Sequence, residues 1–330
     1  METIRKQVKG GQGKSINGHL RKVLNEYGLL VVIILFIIPV SIITPVFLTP
    51  NNLINVLLQL TVLGALSVGQ TFVILSGGGG IDLSVGSVLA FSAVIGAGLI
   101  MYQGLPVAVG VIVTLAIGLG IGLINGLIVT RIRISPLICT LAIMTAVRGG
   151  VMIYTGGADI IGLPRSYTAL VTGGVGPISY AIILVILMFV VADIVLKKTK
   201  YGRQLYAVGG NEHAALVSGI NVKRIRMIAY AISGFCSAIA GLILTARLYT
   251  AGPRAGVGME LSVVSAVVIG GTSLSGGIGK IFGTVLGVII LSIIDNVTNL
   301  LAVPPAYVQT FKGIIILLAA IIDRFRTADK

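Results

Sequence analysis

The sequence predicts an all-α integral membrane protein of about ten transmembrane helices, with both termini cytoplasmic and some helices broken or re-entrant. Three observations predict it. The AVILMFWYC set makes up 56% of the 330 residues and charged residues only 10%, where a soluble domain carries about 25% charged residues. Mean hydropathy is +1.07, and the apolar residues gather in runs near the ~20 residues that a helix needs to cross the hydrocarbon core. Finally, the 24 Lys and Arg outnumber the 10 Asp and Glu and cluster at the ends of those runs, the pattern of positively charged cytoplasmic loops. Glycine, at 45 residues, is roughly twice as common as average. It lies inside the apolar runs, which favours close helix–helix contact over a collagen-like or disordered chain.

The ten expected spans are 27–48, 53–75, 81–101, 106–130, 137–156, 178–197, 224–249, 260–272, 281–301 and 306–323. The first follows a polar tail, 1–26, with six basic residues: Arg5, Lys6, Lys9, Lys14, Arg21 and Lys22. The run 28–48 is too long for the apolar region of a signal peptide, and Thr49-Pro50-Asn51-Asn52 offers no small-x-small cleavage pattern, so this reads as a retained first span. The second and third spans are joined by glycines and the eighth is short, so one or more are expected to be broken or re-entrant.

Loop charge then sets orientation. With the tail inside, every even-numbered span ends inside. Arg131 and Arg133, the seven basic residues Lys197, Lys198, Lys200, Arg203, Lys223, Arg224 and Arg226, and Arg324, Arg326 and Lys330 all fall on the cytoplasmic side. The expected outer segments hold little besides Arg165 and Arg254. The domain plan is therefore a basic tail over 1–26, one transmembrane domain over 27–323 with a cytoplasmic loop at 198–223, and a short tail over 324–330.

A net charge of +14 would suggest nucleic acid in a soluble protein. Distributed at span ends, it points to membrane topology, and no nucleic-acid partner is expected. Cys139 and Cys236 lie within apolar segments at no ligand-like spacing, so they read as small packing residues, with no disulfide framework and no metal site.

Several motifs resemble chemistry without supplying it. Val8-Lys9-Gly10-Gly11-Gln12-Gly13-Lys14-Ser15 ends like a phosphate-binding loop. The glycine required five residues before Gly13 is replaced by Val8, and no strand precedes it. The string reads as a basic tail near anionic headgroups. Gly118, Gly122 and Gly126, and Gly279, Gly283 and Gly287, are spaced by four, which lines one helix face and admits another backbone.

The string Ser76-Gly77-Gly78-Gly79-Gly80-Ile81-Asp82-Leu83-Ser84 breaks an apolar run. Four glycines do not readily continue a helix, and the exposed backbone must line water or be buried in protein. A related string, Gly270-Gly271-Thr272 to Leu274-Ser275-Gly276-Gly277, recurs later. Paired breaks point towards a translocation path, and Gly79, Gly80, Asp82, Ser84, Thr272 and Ser275 are its candidate residues. A purely structural hinge is the alternative. Arg148 and Asp295 lie within spans, where a charge costs about 2.5–3.5 kcal/mol at the bilayer centre on insertion scales. They serve either an ion or proton relay, or a structural pair or helix-end anchor.

In the loop 198–223, Asn211 suits an N-cap, Glu212 the positive end of a helix, and Gly219 a helix stop. A helix of about two turns is expected there, with Ala214, Ala215 and Ser218 forming a small-residue face that suits a groove on another protein; an ordinary connector between spans is the alternative. His213 reads as a solvated surface residue.

Three blocks carry a resemblance: Gly80-Ile81-Asp82-Leu83-Ser84-Val85-Gly86-Ser87; Gly202-Arg203 through Ala207-x-Gly209-Gly210-Asn211-x-x-Ala214-Ala215-x-x-Ser218-Gly219-Ile220; and Ala266-Val267-Val268-Ile269-Gly270-Gly271-Thr272-Ser273-Leu274-x-Gly276-Gly277-x-Gly279. In this order they resemble the membrane-spanning permease subunit of bacterial ATP-binding-cassette importers for monosaccharides, the ribose-type branch. The likeness covers nearly the whole chain after the tail. The run of four glycines before Ile81 is longer than the family's usual pattern.

The resemblance implies a type II importer architecture in the bacterial inner membrane. It implies a core of two permease copies, or one copy and a paralogue, and an extracytoplasmic sugar-binding protein that delivers a monosaccharide. It also implies a separate cytoplasmic ATPase that holds ATP and magnesium, so that this chain is not an enzyme and binds no cofactor. Asn211, Glu212, His213, Ala214, Ala215, Ser218 and Gly219 would form the coupling helix that docks on that ATPase. A gradient-driven secondary transporter or channel for a small polar solute is the alternative.

Overall fold

The computed structural model of the chain describes residues 34, 37–304, 306–310, 312–314 and 317. The tails 1–26 and 324–330, the string Val8–Ser15 and parts of the first and tenth expected spans lie outside the described residues. The chain divides into two units, Met1–Thr49 and Pro50–Lys330. In the first, a helical stretch over 37–43 closes on turns in which the Thr44 N–H donates to the Val40 carbonyl at 2.8 Å and the Phe47 N–H to the Thr44 carbonyl at 2.9 Å.

The second unit is built, in chain order, from α1 (Pro50–Leu75), α2 (Val85–Gln103), α3 (Val107–Leu127), α4 (Pro136–Thr155), β1 (Ile160–Ile161), α5 (Arg165–Thr172), β2 (Gly174–Val175), β3 (Ile178–Ser179), α6 (Tyr180–Lys198), α7 (Lys200–Gly210), α8 (Glu212–Val217), α9 (Val222–Leu248), β4 (Thr250–Ala251), α10 (Met259–Ile269) and α11 (Ile281–Leu300). A π-helical turn, Ile128–Ile132, extends α3.

Seven of these helices, α1, α2, α3 with its extension, α4, α6, α9 and α11, are long and apolar enough to cross a membrane. They match the second to seventh and the ninth expected spans. The eighth is the 11-residue α10, about 16 Å long at 1.5 Å per residue and too short to cross ~30 Å of hydrocarbon. The third span begins at Val85 rather than 81, because residues 80–84 are not helical. Helix α5 and β2 fall in a stretch where no element was expected, and β3 takes the first two residues of the sixth expected span, whose helix starts at Tyr180.

One end of the bundle is strongly basic: α3 runs out towards Arg131 and Arg133, α6 ends on Lys197 and Lys198, and α9 begins with Val222-Lys223-Arg224-Ile225-Arg226. At the other end, β1 pairs antiparallel with β4, Ile160 opposite Ala251, and β2 pairs with β3.

The centre is made by α1 and α9. Every residue from Thr61 to Leu75 is buried, as is most of α9 between Ala229 and Ala246. Apolar burial of this kind does not by itself bring helices together in lipid; close packing at small residues does. On α3, a Cβ at Gly118 would meet the Gly234 carbonyl and one at Gly126 the Met227 Cα, so the ladder lies directly on α9. Gly283 and Gly287 on α11 face Gly270 and Ala266 in the same manner, closing the end of α10 against α11, whereas Gly279 lies before that helix begins and faces Thr272 from the preceding loop, not from one helix face as its spacing predicted. Helices α3, α4 and α6 present apolar side chains outward, among them Ile112, Ile138, Ile153 and Ile186, and that surface requires apolar surroundings.

Candidate functional site

The chain leaves α1 at Leu75 and turns through Gly77, Gly78 and Gly79, at φ +70°, +64° and +69°. Three successive left-handed residues are accessible to glycine and costly for residues with a Cβ. The returning strand then buries Asp82 completely. Its Oδ1 accepts from the Ser84 N–H at 2.9 Å and the Ser84 hydroxyl at 2.6 Å, and its Oδ2 from the Ser233 hydroxyl at 2.7 Å. The Asn125 amide donates to the Ser84 hydroxyl at 2.9 Å, and the Thr140 hydroxyl to the Ile81 carbonyl at 3.2 Å. The Gln70 amide, oriented to suit its neighbours, donates to the Asp82 carbonyl at 3.1 Å and accepts from its N–H at 3.2 Å. Ser233 lies eleven residues after the start of α9, so the knot sits about 16 Å along that helix. The returning segment from Ile81 to Ser84 is thus held by protein partners, while Gly78 and Gly79 are exposed.

Sequence reasoning singled out Asp82 and Ser84 but missed Gln70, Asn125 and Ser233. Polar residues within apolar spans were the available signal.

The second glycine string meets the first. The Gly277 N–H donates to the Leu75 carbonyl at 3.1 Å, and a Cβ at Gly276 would fall against the Gly77 backbone. Between them enters Gly209 of α7, where a Cβ would overlap the Leu75 carbonyl and the Gly277 nitrogen. Three backbones therefore touch at the basic end, and only hydrogen side chains fit between them. Thr272 is buried here with its hydroxyl unpartnered among the described residues, while Ser275 and Gly79 are exposed and Gly80 is buried.

Helix α7 is bolted to this junction. The Tyr206 hydroxyl donates to the Gly279 carbonyl at 2.8 Å and the Tyr201 hydroxyl to the Ile225 carbonyl at 3.2 Å; the Tyr201 ring stacks on Phe72 with centroids 6.3 Å apart. Burial pushes the Tyr206 phenol up, with Asp193 adding to it, so the donating proton is held firmly.

Asn211 separates α7 from α8. Its side chain accepts from the Ala214 N–H at 2.9 Å, as an N-cap should. At the far end the Gly219 N–H donates to the Leu216 carbonyl at 2.9 Å and the Ile220 N–H to the Ala215 carbonyl at 3.0 Å, with Gly219 at φ +79°. This is a Schellman stop. The expected small-residue face divides: Ala214 and Ser218 are exposed, but Ala215 is buried against the chain's own core. Leu216 and Val217, 53% and 78% exposed, are instead the apolar residues that α8 presents outward. Asn211, Glu212 and His213 are exposed as well.

Two clefts open on the second unit. At the basic end, one of about 530 Å³ is bordered by the glycine bend, Arg133, Glu212, Lys223, Arg226 and Tyr230. At the opposite end, one of about 610 Å³ is bordered by Gln59, Arg247, Ser262, Ser292, Asn299 and Lys312, among others. In the latter, the Gln59 Oε1 and Ser292 hydroxyl are buried without a partner, and Arg247 makes no hydrogen bond or ion pair, among the described residues. Neither cleft was read from the sequence, because their walls come from segments more than a hundred residues apart.

Arg148 and Asp295 are both held by protein. Arg148 donates to the Pro253 and Ala255 carbonyls at 2.9 and 2.7 Å, and Asp295 pairs with Lys312 at 2.7 Å. Asp295 and Lys312 both border the 610 Å³ cleft, so this ion pair lies on its wall.

Comparison with known proteins places this geometry. The family described as branched-chain amino acid transport system / permease component matches residues 52–320. Ribose import permease protein RbsC of Bacillus subtilis is 44% identical over 313 residues, 94% of this chain and 96% of that protein. Its counterpart in Haemophilus influenzae is 41% identical over 323 residues, 97% and 99% of the two chains. The L-arabinose ABC transporter permease protein AraH of Azospirillum brasilense is 37% identical over 309 residues, 94% of this chain and 90% of that one. With seven membrane-length apolar helices and these relatives along nearly its whole length, the chain is a multi-pass membrane permease that belongs to the branched-chain amino acid transport system / permease component family, in company with the ribose import permeases.

Proposed function

We propose that this chain is the transmembrane subunit of an ATP-driven importer that carries a monosaccharide, ribose or a related pentose or hexose, into the cytoplasm. The observation that carries this reading is the pair of ribose import permeases at 44% and 41% identity, each aligned from end to end. Family membership by itself leaves a branched-chain amino acid open. The relatives favour the sugar, since those named are ribose and L-arabinose permeases; the 610 Å³ cleft sets Gln59, Arg247, Ser262 and Asn299, donors and acceptors for hydroxyls, among apolar residues such as Val62, Leu63, Leu244 and Leu261.

In this reading the protein lies in a bacterial inner membrane with about ten helices in the bilayer, some of them broken or re-entrant as the short α10 is, and with its basic end in the cytoplasm. It works with a second permease copy or a paralogue, takes sugar from an extracytoplasmic binding protein, and engages a separate ATPase that binds ATP and magnesium. A transport subunit needs no covalent chemistry. Closure of the ATPase pair displaces α8, the coupling helix. The glycine junction behind it moves, and access switches from one cleft to the other. Gly80 borders the cytoplasmic cleft, Gly79 is the exposed residue next to it, and Thr272 and Ser275 lie beside the junction. Asp82 and Ser84 hold the bend's shape from one layer behind. A gradient-driven carrier has no support in the relatives, and Arg148 and Asp295 are already engaged by protein partners.

The test is at α8. Val217 is 78% exposed, so Val217→Glu leaves the fold intact while placing a charge in an apolar contact. Affinity purification of the tagged chain from native membranes, followed by native mass spectrometry, is expected to show two permease copies, or one and a paralogue, with ATPase. The Val217→Glu chain is expected to retain at least tenfold less ATPase. Undiminished ATPase in the variant would refute docking through α8, and wild-type chain free of ATPase would refute the importer reading.

A further inference from the structure

Arg226, in the second turn of α9, touches both the helix that would dock and the bend that would move. Its Nη2 donates to the Glu212 carboxylate at 2.8 Å, and its Nε donates to the Ser76 carbonyl at 3.3 Å. Glu212 is the first residue of α8; Ser76 is the first residue beyond α1. The guanidinium lies against Gly78, where a Cβ would collide with it. Its side chain is 15% exposed and that of Glu212 is 48% exposed, so the link has one end set in the protein and one at the surface. The 530 Å³ cleft alongside leaves room for the bend to shift. A planar guanidinium with fixed donors transmits direction as well as charge, which a flexible ammonium does not.

We propose that Arg226 is the positioning residue that passes displacement of α8 to the glycine bend at 76–80, coupling the docking surface to the membrane-embedded break. This deepens the importer reading and rests on it. The two contacts act in series, Glu212 to Arg226 to Ser76, so removing either should interrupt the same step.

The full assembly, chain with ATPase and binding protein, is reconstituted in proteoliposomes, and labelled ribose uptake is measured against ATP hydrolysed. Arg226→Gln and Glu212→Gln are each expected to lower ribose moved per ATP about tenfold, read per ATPase bound, with the bound ATPase quantified in every preparation because Glu212 lies on the docking helix. The double variant is expected to be no worse than either single variant. Arg226→Lys, which keeps the charge pair but loses the fork, is expected to recover part of the loss. If Arg226→Gln fails to assemble, Glu212→Gln, at an exposed position, still decides. An unchanged ratio in Glu212→Gln, or a double variant whose loss is the product of the two, would overturn the link. Coupled transport by the wild type alongside either result confines the failure to the link; wild type that binds no ATPase overturns the importer reading and the link together.

Discussion

Asp82→Ala is expected to destabilise the folded chain by about 3–5 kcal/mol, among the larger effects a single substitution produces. The carboxylate accepts three hydrogen bonds, from the Ser84 N–H, the Ser84 hydroxyl and the Ser233 hydroxyl, in a site closed to solvent. Alanine leaves all three donors facing apolar atoms, and an unpaired buried donor costs its full desolvation. The Asn125 amide, bonded to the Ser84 hydroxyl, loses its fixed partner at one remove. Asp82→Asn keeps the shape and an acceptor towards Ser84, and its expected cost is about 1–2 kcal/mol. Ser233→Ala removes one donor and leaves two, for about 1 kcal/mol. Thermal unfolding of the detergent-solubilised chain orders these variants. Asp82→Ala is expected to lower the apparent midpoint by about 10 °C. A midpoint within about 2 °C of wild type would show that the knot does not hold the bend.

The parts of this molecule that are legible in sequence are those fixed by local composition. Seven spans follow from run length, because a helix in lipid must satisfy its own backbone over ~20 residues. The break after Leu75 follows from four consecutive glycines, and α8 from Asn211 and Gly219, whose capping roles the structure bears out. Spacing also foretold that Gly118 and Gly126 face another backbone, though not that the backbone is α9.

What was not legible depends on partners distant in sequence. Arg226 counted as one loop charge among several; its contacts to Glu212 and Ser76 span 14 and 150 residues. Ala215 shared a predicted surface with Ala214 and Ser218, yet a six-residue helix lying on the bundle must bury one side, and position 215 is that side. Leu216 and Val217 were passed over because apolar residues are ordinarily assigned inward. The glycine strings around 77 and 276 were seen as similar in sequence, and the structure shows that they are neighbours in space. Their similarity fits a shared requirement, since each must let another backbone approach within a hydrogen atom's width.

That requirement yields a paired experiment at adjacent glycines. Gly209→Ala is expected to cost about 2–3 kcal/mol through overpacking, because the added methyl would overlap the Leu75 carbonyl and the Gly277 nitrogen, both backbone atoms with no rotamer to yield. Relief requires α7 to withdraw from the junction, which strains the Tyr206 bond to Gly279 and loosens the docking segment from the bend. Gly210→Ala places the same methyl in open space. It should be neutral, or stabilising by up to about 1 kcal/mol because alanine favours the helix. Residue 209 is not left-handed, so the contrast isolates steric approach from backbone conformation. Ribose uptake by the reconstituted assembly is expected to fall about tenfold in Gly209→Ala and to match wild type in Gly210→Ala, with thermal midpoints in the same order. Equal behaviour of the two variants would mean that the three backbones separate without consequence, and that coupling does not pass through their contact.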